Sequence, residues 1–229
     1  MRSGVLVRAP EGDFVIDTSP ELRVQLLREQ VACVHAAVFT HGHADHLFGL
    51  DDLRLFGYYL SRAIPLYADE ITEVRIRQSF DYAFENKGPN NHPGATPQFE
   101  MRPIGRDSFD LLGLTLTPIP LWHGQLPVLG FRLGNVAFCT DVSRIPEESW
   151  PLLEGLDVLI LDALREKPHP THFSLSQALE VVSRVRPKQA WFTHISHTLE
   201  YEATNKLLPA GVELAYDGLR IPLSTTDLD

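Results

Sequence analysis

The chain has 229 residues, 44% of them hydrophobic, with 20 Lys and Arg against 30 Asp and Glu for a formal net charge of −10. That length suits one domain with a substantial core, or a tight pair of internal halves. The acidic balance disfavours a nucleic acid partner, because a negative surface repels a polyanion unless basic residues cluster, and no apolar run approaches the ~20 residues of a membrane span.

Met1 to Arg8 lacks the charged, apolar and small-residue zones of a secretory signal, which points to the cytoplasm. Val5-Leu6-Val7 and Phe14-Val15-Ile16-Asp17 predict a hairpin turning at Pro10-Glu11-Gly12-Asp13. Ser19-Pro20-Glu21 opens a helix with an apolar stripe at Leu22, Leu26 and Leu27, since proline is favoured at a helix start. Ala36 to Thr40 reads as a short buried strand, followed by the polar turn His41-Gly42-His43-Ala44-Asp45-His46 and a helix through Leu50, Leu53 and Phe56. A strand at Pro65 to Ala68 and a helix from Asp69 to Phe80 come next. Lys87 to Pro97 has no periodicity and is expected to be a loop over a site.

Strands resume at Leu114 to Pro120, Leu129 to Leu133 and Val136 to Cys139, with a short helix at Glu147 to Leu153 and a buried strand at Val158 to Leu161. Ser174 to Val185 is a helix with a capping box, Ser174 at the N-cap and Gln177 three residues on. A strand at Ala190 to Thr193, a helix at Leu199 to Leu207 and a strand at Val212 to Tyr216 complete the series. Cys33 and Cys139 have no C-x-x-C spacing and read as buried small hydrophobes. Short strands mixed with helices, joined by both hairpins and crossovers, fit the α/β class as an αββα sandwich: two mixed β-sheets packed face to face with helices outside.

The chemistry-bearing residues cluster at strand ends. Three apolar strands end in Thr followed by a metal-capable residue, at Thr40-His41, Thr140-Asp141 and Thr193-His194, and a fourth ends at Leu121-Trp122-His123. Strands sharing a sheet can bring such ends to one edge. His41-x-His43-x-Asp45-His46 places three imidazoles and a carboxylate within six residues. Neutral imidazole and carboxylate are the ligands preferred by zinc and its first-row neighbours. A tight turn aiming His41 and His43 one way and Asp45 and His46 the other suits two neighbouring cations.

Thr40-His41-Gly42-His43-Ala44-Asp45-His46 resembles the T-H-x-H-x-D-H motif of the metallo-β-lactamase superfamily, and His123, Asp141 and His194 follow in that family's order. The resemblance spans nearly the whole chain. The run His46-Leu47-Phe48-Gly49-Leu50-Asp51-Asp52-Leu53-Arg54, with Asp217-Gly218 near the end, is most similar to the PhnP-type cyclic phosphodiesterases, in the wider group that includes ribonuclease Z. It implies a single metallo-β-lactamase-fold domain over 1–229 with a truncated N-terminal edge strand. It implies one metal on His41, His43 and His123, a second on Asp45, His46 and His194, and Asp141 between them, with Zn2+ or Mn2+ as the ions. The activity it implies is hydrolysis of small or cyclic phosphodiesters through a hydroxide shared by the ions. Asp at 141, where the β-lactamases tend to have Cys, points away from antibiotic hydrolysis.

His172 and Asp45 are the catalytic candidates. His172, two residues before the helix N-cap, matches a histidine implicated in catalysis in the PhnP-type branch, where it would protonate the leaving oxygen. A helix N-terminus disfavours an imidazolium, so something must offset the dipole. Asp17 and Asp162, each ending a strand, are either braces for the ligand loops or plain turn residues. His169 and His197 are weaker candidates, and His35 and His92 read as structural or solvated. Arg54, Arg144 and Arg165 have the guanidinium geometry that suits phosphate, but most arginines at such positions are solvated or paired with surface acids, so none is taken as a site residue. Trimming of transfer RNA 3′ ends fits less well, since no basic, Gly-rich arm is present. Thioester or lactone hydrolysis, and a metal-binding accessory role without turnover, remain open. A homodimer would cover strand edges left by the short N-terminus.

Overall fold

The computed structural model describes residues 1–84 and 95–223, so the loop expected from Lys87 lies outside the described residues as far as position 94. The chain divides into two units, Met1–Gly105 with Asp110–Leu114, and Arg106–Phe109 with Thr115–Asp229.

In the first unit the expected hairpin forms. Strands β1 (Val5–Ala9) and β2 (Gly12–Ile16) pair antiparallel, Val5 opposite Ile16 and Ala9 opposite Gly12. Strands β3 (Ala36–Val38), β4 (Ile64–Ala68) and β5 (Phe99–Pro103) add in parallel, giving a five-stranded mixed sheet in the order β1-β2-β3-β4-β5. Parallel neighbours need long crossovers, and these carry α1 (Leu22–Arg28), α2 (Ala44–Leu47), α3 (Arg54–Leu60) and α4 (Glu70–Ser79). Leu22 and Leu26 of α1 pack with Val15, Ala37, Phe39, Leu47, Leu50, Leu53, Leu66 and Ile76 in one buried cluster.

The second unit is built on a seven-stranded sheet, in the order β12-β11-β10-β9-β8-β7-β6. Its members are β6 (Phe109–Leu111), β7 (Leu114–His123), β8 (Leu126–Leu133), β9 (Val136–Cys139), β10 (Val158–Asp162), β11 (Gln189–Thr193) and β12 (Val212–Leu214). Strands β7, β8 and β9 meander antiparallel, while β9 to β12 run parallel. Helix α5 (Leu175–Val185) buries Ala178 and Val181 against Leu159, Leu161, Ala190 and Phe192, and α6 (Tyr201–Asn205) precedes β12.

Several elements differ from the sequence pattern, each for a local reason. Leu27 is 69% exposed: Leu22 and Leu26 sit one above the other at i and i+4, and the next residue turns away from that face. The helix expected through Phe56 is split into a 3-10 turn, Leu50–Leu53, and α3. The helix expected from Leu199 to Leu207 shortens to Tyr201–Asn205 because the Glu200 carboxylate accepts from Glu202 and Ala203 N–H groups and fixes the start there. Strands β5 and β6 alternate apolar with charged residues, Phe99-Glu100-Met101-Arg102 and Phe109-Asp110-Leu111, over runs too short to stand out from the segments around them. β5 closes the edge of its sheet, where charged residues and Pro103 are tolerated because one side of the ladder is unpaired. Cys139 is buried, which pushes its thiol up to about 12, whereas Cys33 is only half-buried.

The capping box of α5 forms with both bonds, Gln177 N–H to Ser174 Oγ and Ser174 N–H to Gln177 Oε1. Ser174→Ala should destabilise the protein by about 1 kcal/mol, read as a lower urea midpoint at unchanged slope; no change in midpoint would remove the cap from the account of this helix.

Candidate metal centre

In the first unit, parallel register places Ile16 beside Val38, so Asp17 and Thr40 emerge together at the sheet edge. Asp17 takes the left-handed backbone region (φ 64) rarely adopted by non-glycine residues. Its buried carboxylate accepts from the Thr40 N–H at Oδ1 (2.8 Å), and from the Thr40 hydroxyl and His46 Nδ1 at Oδ2 (2.8 Å each). It braces the His-rich loop at both ends. The hydrogen bonds also set the rings. A carboxylate only accepts, so His46 carries its proton on Nδ1 and its lone pair on Nε2. Thr40 gives its single hydroxyl proton to Asp17, so towards His41 Nδ1, 3.0 Å away, it is the acceptor. His41 is thereby fixed in the same tautomer. His41 lies 4.6 Å from His43 and 4.4 Å from His46 between ring centroids, and Asp45 Oδ2 lies 3.5 Å from His46 Nε2. His41 and His46 are buried, Asp45 is partly exposed and His43 is exposed.

In the second unit, the parallel register Leu161 opposite Cys139 and Asp162 opposite Thr193 brings three strand ends together. Asp141, Asp162 and His194 follow from them. Asp141 (φ 55) and His194 (φ 57) both sit in the left-handed region, a conformation costing about 1–3 kcal/mol that persists where the surroundings over-determine it. His194 Nε2 lies 3.4 Å from Asp141 Oδ1, which also accepts from the Thr140 hydroxyl at 2.8 Å. His123 Nδ1 donates to the Thr171 carbonyl at 2.7 Å, which leaves its lone pair on Nε2.

Asp162 is the counterpart of Asp17. Its Oδ2 accepts from the Val142 N–H and from His172 Nδ1, each at 2.9 Å. Burial pushes its carboxyl above the ordinary carboxylate range, and the hydrogen bond from His172 opposes that shift. His172 packs edge-on to His123 (4.5 Å between centroids) and stacks on His194 (4.9 Å, 17°). One ligand-capable atom from each of Asp162, His172 and His194 lies within 4.8 Å of the others. The Asp162 carboxylate is thus the acceptor that meets His172 beside this helix end.

The weaker candidates separate by the same logic. His169 Nδ1 accepts from the Thr171 N–H at 3.3 Å, so this ring is the opposite tautomer from His41, His46 and His123. Burial holds its pKa below the usual histidine range. His197 is exposed, His35 accepts from the Asp13 N–H, and His92 lies outside the described residues. Arg54 is engaged by Asp51 and the Ala95 carbonyl, and Arg165 by the carbonyls of Lys167 and Pro168. Arg144 lies over the Trp122 ring. Sequence reasoning missed the Thr hydroxyls and the Thr171 carbonyl as ring-setters, although Thr before His or Asp at three strand ends was the visible trace. The donor set, imidazole nitrogen with carboxylate oxygen, fits a divalent metal ion.

Residues 13–195 match the family model described as a beta-lactamase superfamily domain. Among solved structures, a diphosphatase from the PhnP family is 41% identical, with a TM-score of 0.89 over 97% of this chain and 85% of that one. Human tRNase Z, short form, at 21% identity and a TM-score of 0.69 over 97% of this chain and 93% of that one, is similar in fold. A curated relative, an octanoyltransferase of Porphyromonas gingivalis, is 32% identical over 95% of this chain, which spans 44% of that protein's length.

Asp17→Asn keeps one acceptor oxygen but puts an N–H₂ where His46 or Thr40 must donate. It should weaken metal binding by about 10- to 100-fold, measured by chelator competition; an unchanged affinity would make Asp17 a turn residue only.

Proposed function

Because this chain belongs to the metallo-β-lactamase superfamily, and within it to the PhnP family, we propose that it is a dinuclear metal-dependent hydrolase of small phosphodiesters, cyclic ones and diesters of diphosphate included. The observation that carries this reading is the 41% identity, across 97% of the chain, to a PhnP-family diphosphatase. One cation would be held by His41, His43 and His123, the other by Asp45, His46 and His194, with Asp141 shared. Two such ions lower the pKa of a water and stabilise the charge that builds on the attacked phosphorus.

The chain's own residues supply the rest. Asp17, Thr40 and the Thr171 carbonyl keep Nε2 of His46, His41 and His123 in the ligand form before any ion arrives, so little reorganisation is needed on binding. Asp45, partly exposed beside His46, orients the attacking water through its carboxylate. His172 holds a proton on Nε2 while Nδ1–H stays on Asp162, and delivers it to the leaving oxygen. A second reading, hydrolysis of an acyl thioester, is favoured by the octanoyltransferase relative, but more than half of that protein lies outside the match. The transfer RNA reading has the fold in its favour and the net charge of −10 against it. Among the described residues no helix is long and apolar enough to cross a membrane.

Purified protein loaded with zinc or manganese should hydrolyse bis(p-nitrophenyl) phosphate, 2′,3′-cyclic nucleotides or dinucleoside diphosphates in preference to octanoyl thioesters and precursor transfer RNA. Turnover of the thioester alone would overturn the reading, and silence on every substrate with two ions bound would favour an accessory role. Asp141→Ala should lose metal and activity together, checked by elemental analysis beside the assay. His172→Ala should lower kcat by about a hundredfold or more on substrates with poor leaving groups and much less on p-nitrophenyl esters; equal losses on both would remove the proton-donor role.

A further inference from the structure

Between the ligands His41 and His43 stands Gly42, whose φ is not in the left-handed region, so no turn geometry demands a glycine there. What demands it is Arg75. A Cβ on Gly42 would lie 2.8 Å from Arg75 Cγ and 2.9 Å from Arg75 Cβ. The aliphatic stem of Arg75 therefore lies directly on the backbone of the ligand loop, and its guanidinium begins two bonds beyond Cγ. His43 next to it is exposed, so this part of the loop faces solvent.

The helix leaves that cation unclaimed. On α4, side chains meet at i±3 and i±4, and for Arg75 those positions are Ile71, Thr72, Gln78 and Ser79, none of them acidic. Arg77, two residues on, has Glu73 at i−4 and makes that ion pair at 2.8 Å. Among the described residues Arg75 has no ion pair, in a chain whose net charge is −10. A guanidinium presents a planar fork that matches phosphate and carboxylate oxygens.

We infer that Arg75 is a specificity residue that receives a second anionic group of the substrate, the one borne by the portion not attacked. This rests on the phosphodiester reading and narrows it. A simple diester carries one charge, which bound cations would meet. A diester of diphosphate brings a further anionic phosphate one linkage away, and Arg75 is the cation fastened to the ligand loop to meet it. The favoured substrate class is thus diphosphate diesters over diesters with uncharged substituents.

The test is Arg75→Met, which keeps a stem to lie on Gly42 but removes the charge, with Arg75→Lys to keep the charge without the fork. In the metal-loaded protein, the ratio of kcat/KM for a dinucleoside diphosphate to that for bis(p-nitrophenyl) phosphate should fall about tenfold in Arg75→Met, mostly through KM, the size expected for one exposed charge-assisted contact. Arg75→Lys should fall between it and the parent. By calorimetry, affinity for inorganic pyrophosphate should drop by about the same factor relative to orthophosphate. A ratio unchanged, or equal losses on both substrates, would overturn the assignment. Should the parent protein hydrolyse neither substrate, the phosphodiester reading fails, and the pyrophosphate measurement judges Arg75 by itself: equal pyrophosphate affinity in parent and Arg75→Met would end it.

Discussion

Two buried carboxylates, Asp17 and Asp162, hold the ligand-bearing segments of their respective units, and each does so by accepting from one backbone N–H and one imidazole Nδ1. Burying an ionised carboxylate is costly unless it is paired and hydrogen-bonded, so each is stable only while its partners stay where they are. The backbone donors, Thr40 and Val142, lie just past the neighbouring strands β3 and β9, and parallel register decides which residues those are. A shift of one residue in either register would turn the side chains to the other face and strand a buried charge. Sheet register, carboxylate and imidazole tautomer are thus one coupled constraint, repeated in both units.

That constraint explains what was legible in the sequence. The density of His and Asp at 41–46, and Thr preceding a ligand-type residue at three strand ends, are local patterns set by the strand-end geometry itself. The capping box at Ser174 and Gln177 is equally local and reads directly from residue types. Asp17 and Asp162 were legible only as an even choice between brace and turn, because an Asp after a strand looks the same in both roles. Their partners lie 23, 29, 20 and 10 residues away and are assigned by tertiary register alone.

What the sequence hid follows the same division. Strand β5 alternates Phe99 and Met101 with Glu100 and Arg102, but the run is short and ends in Pro103, which an edge strand tolerates because one side of its ladder is unpaired. Leu27 belongs to the apolar stripe by composition but lies off the line that Leu22 and Leu26 define. Gly42 reads as a turn glycine in its setting, yet its role is to let the Arg75 stem approach, which only the packing of α4 discloses. Among the arginines, burial of function beneath ordinary pairing is also resolved by packing: Arg54 and Arg165 are held by their own neighbourhood, whatever their suitability for phosphate.

The balance at His172 shows how magnitudes decide a role. An imidazolium behind the N-terminus of α5 meets an opposing helix dipole worth about 0.3–1 kcal/mol when exposed and up to about 2 when partly buried. A hydrogen bond to an ionised carboxylate returns about 1.5–3 kcal/mol, so Asp162 outweighs the dipole provided it is ionised. Burial pushes Asp162 towards its neutral form, and the bond from His172 is what opposes that push. The hydrogen bond therefore couples the two groups, and a change at either alters the surroundings of the other. Removing the imidazole would leave the Val142 N–H on Asp162 Oδ2 and take away the bond that opposes the effect of burial on the carboxyl. Loss of His172 therefore reaches beyond its own ring, because it removes one of the donors that hold the buried Asp162 carboxylate in place.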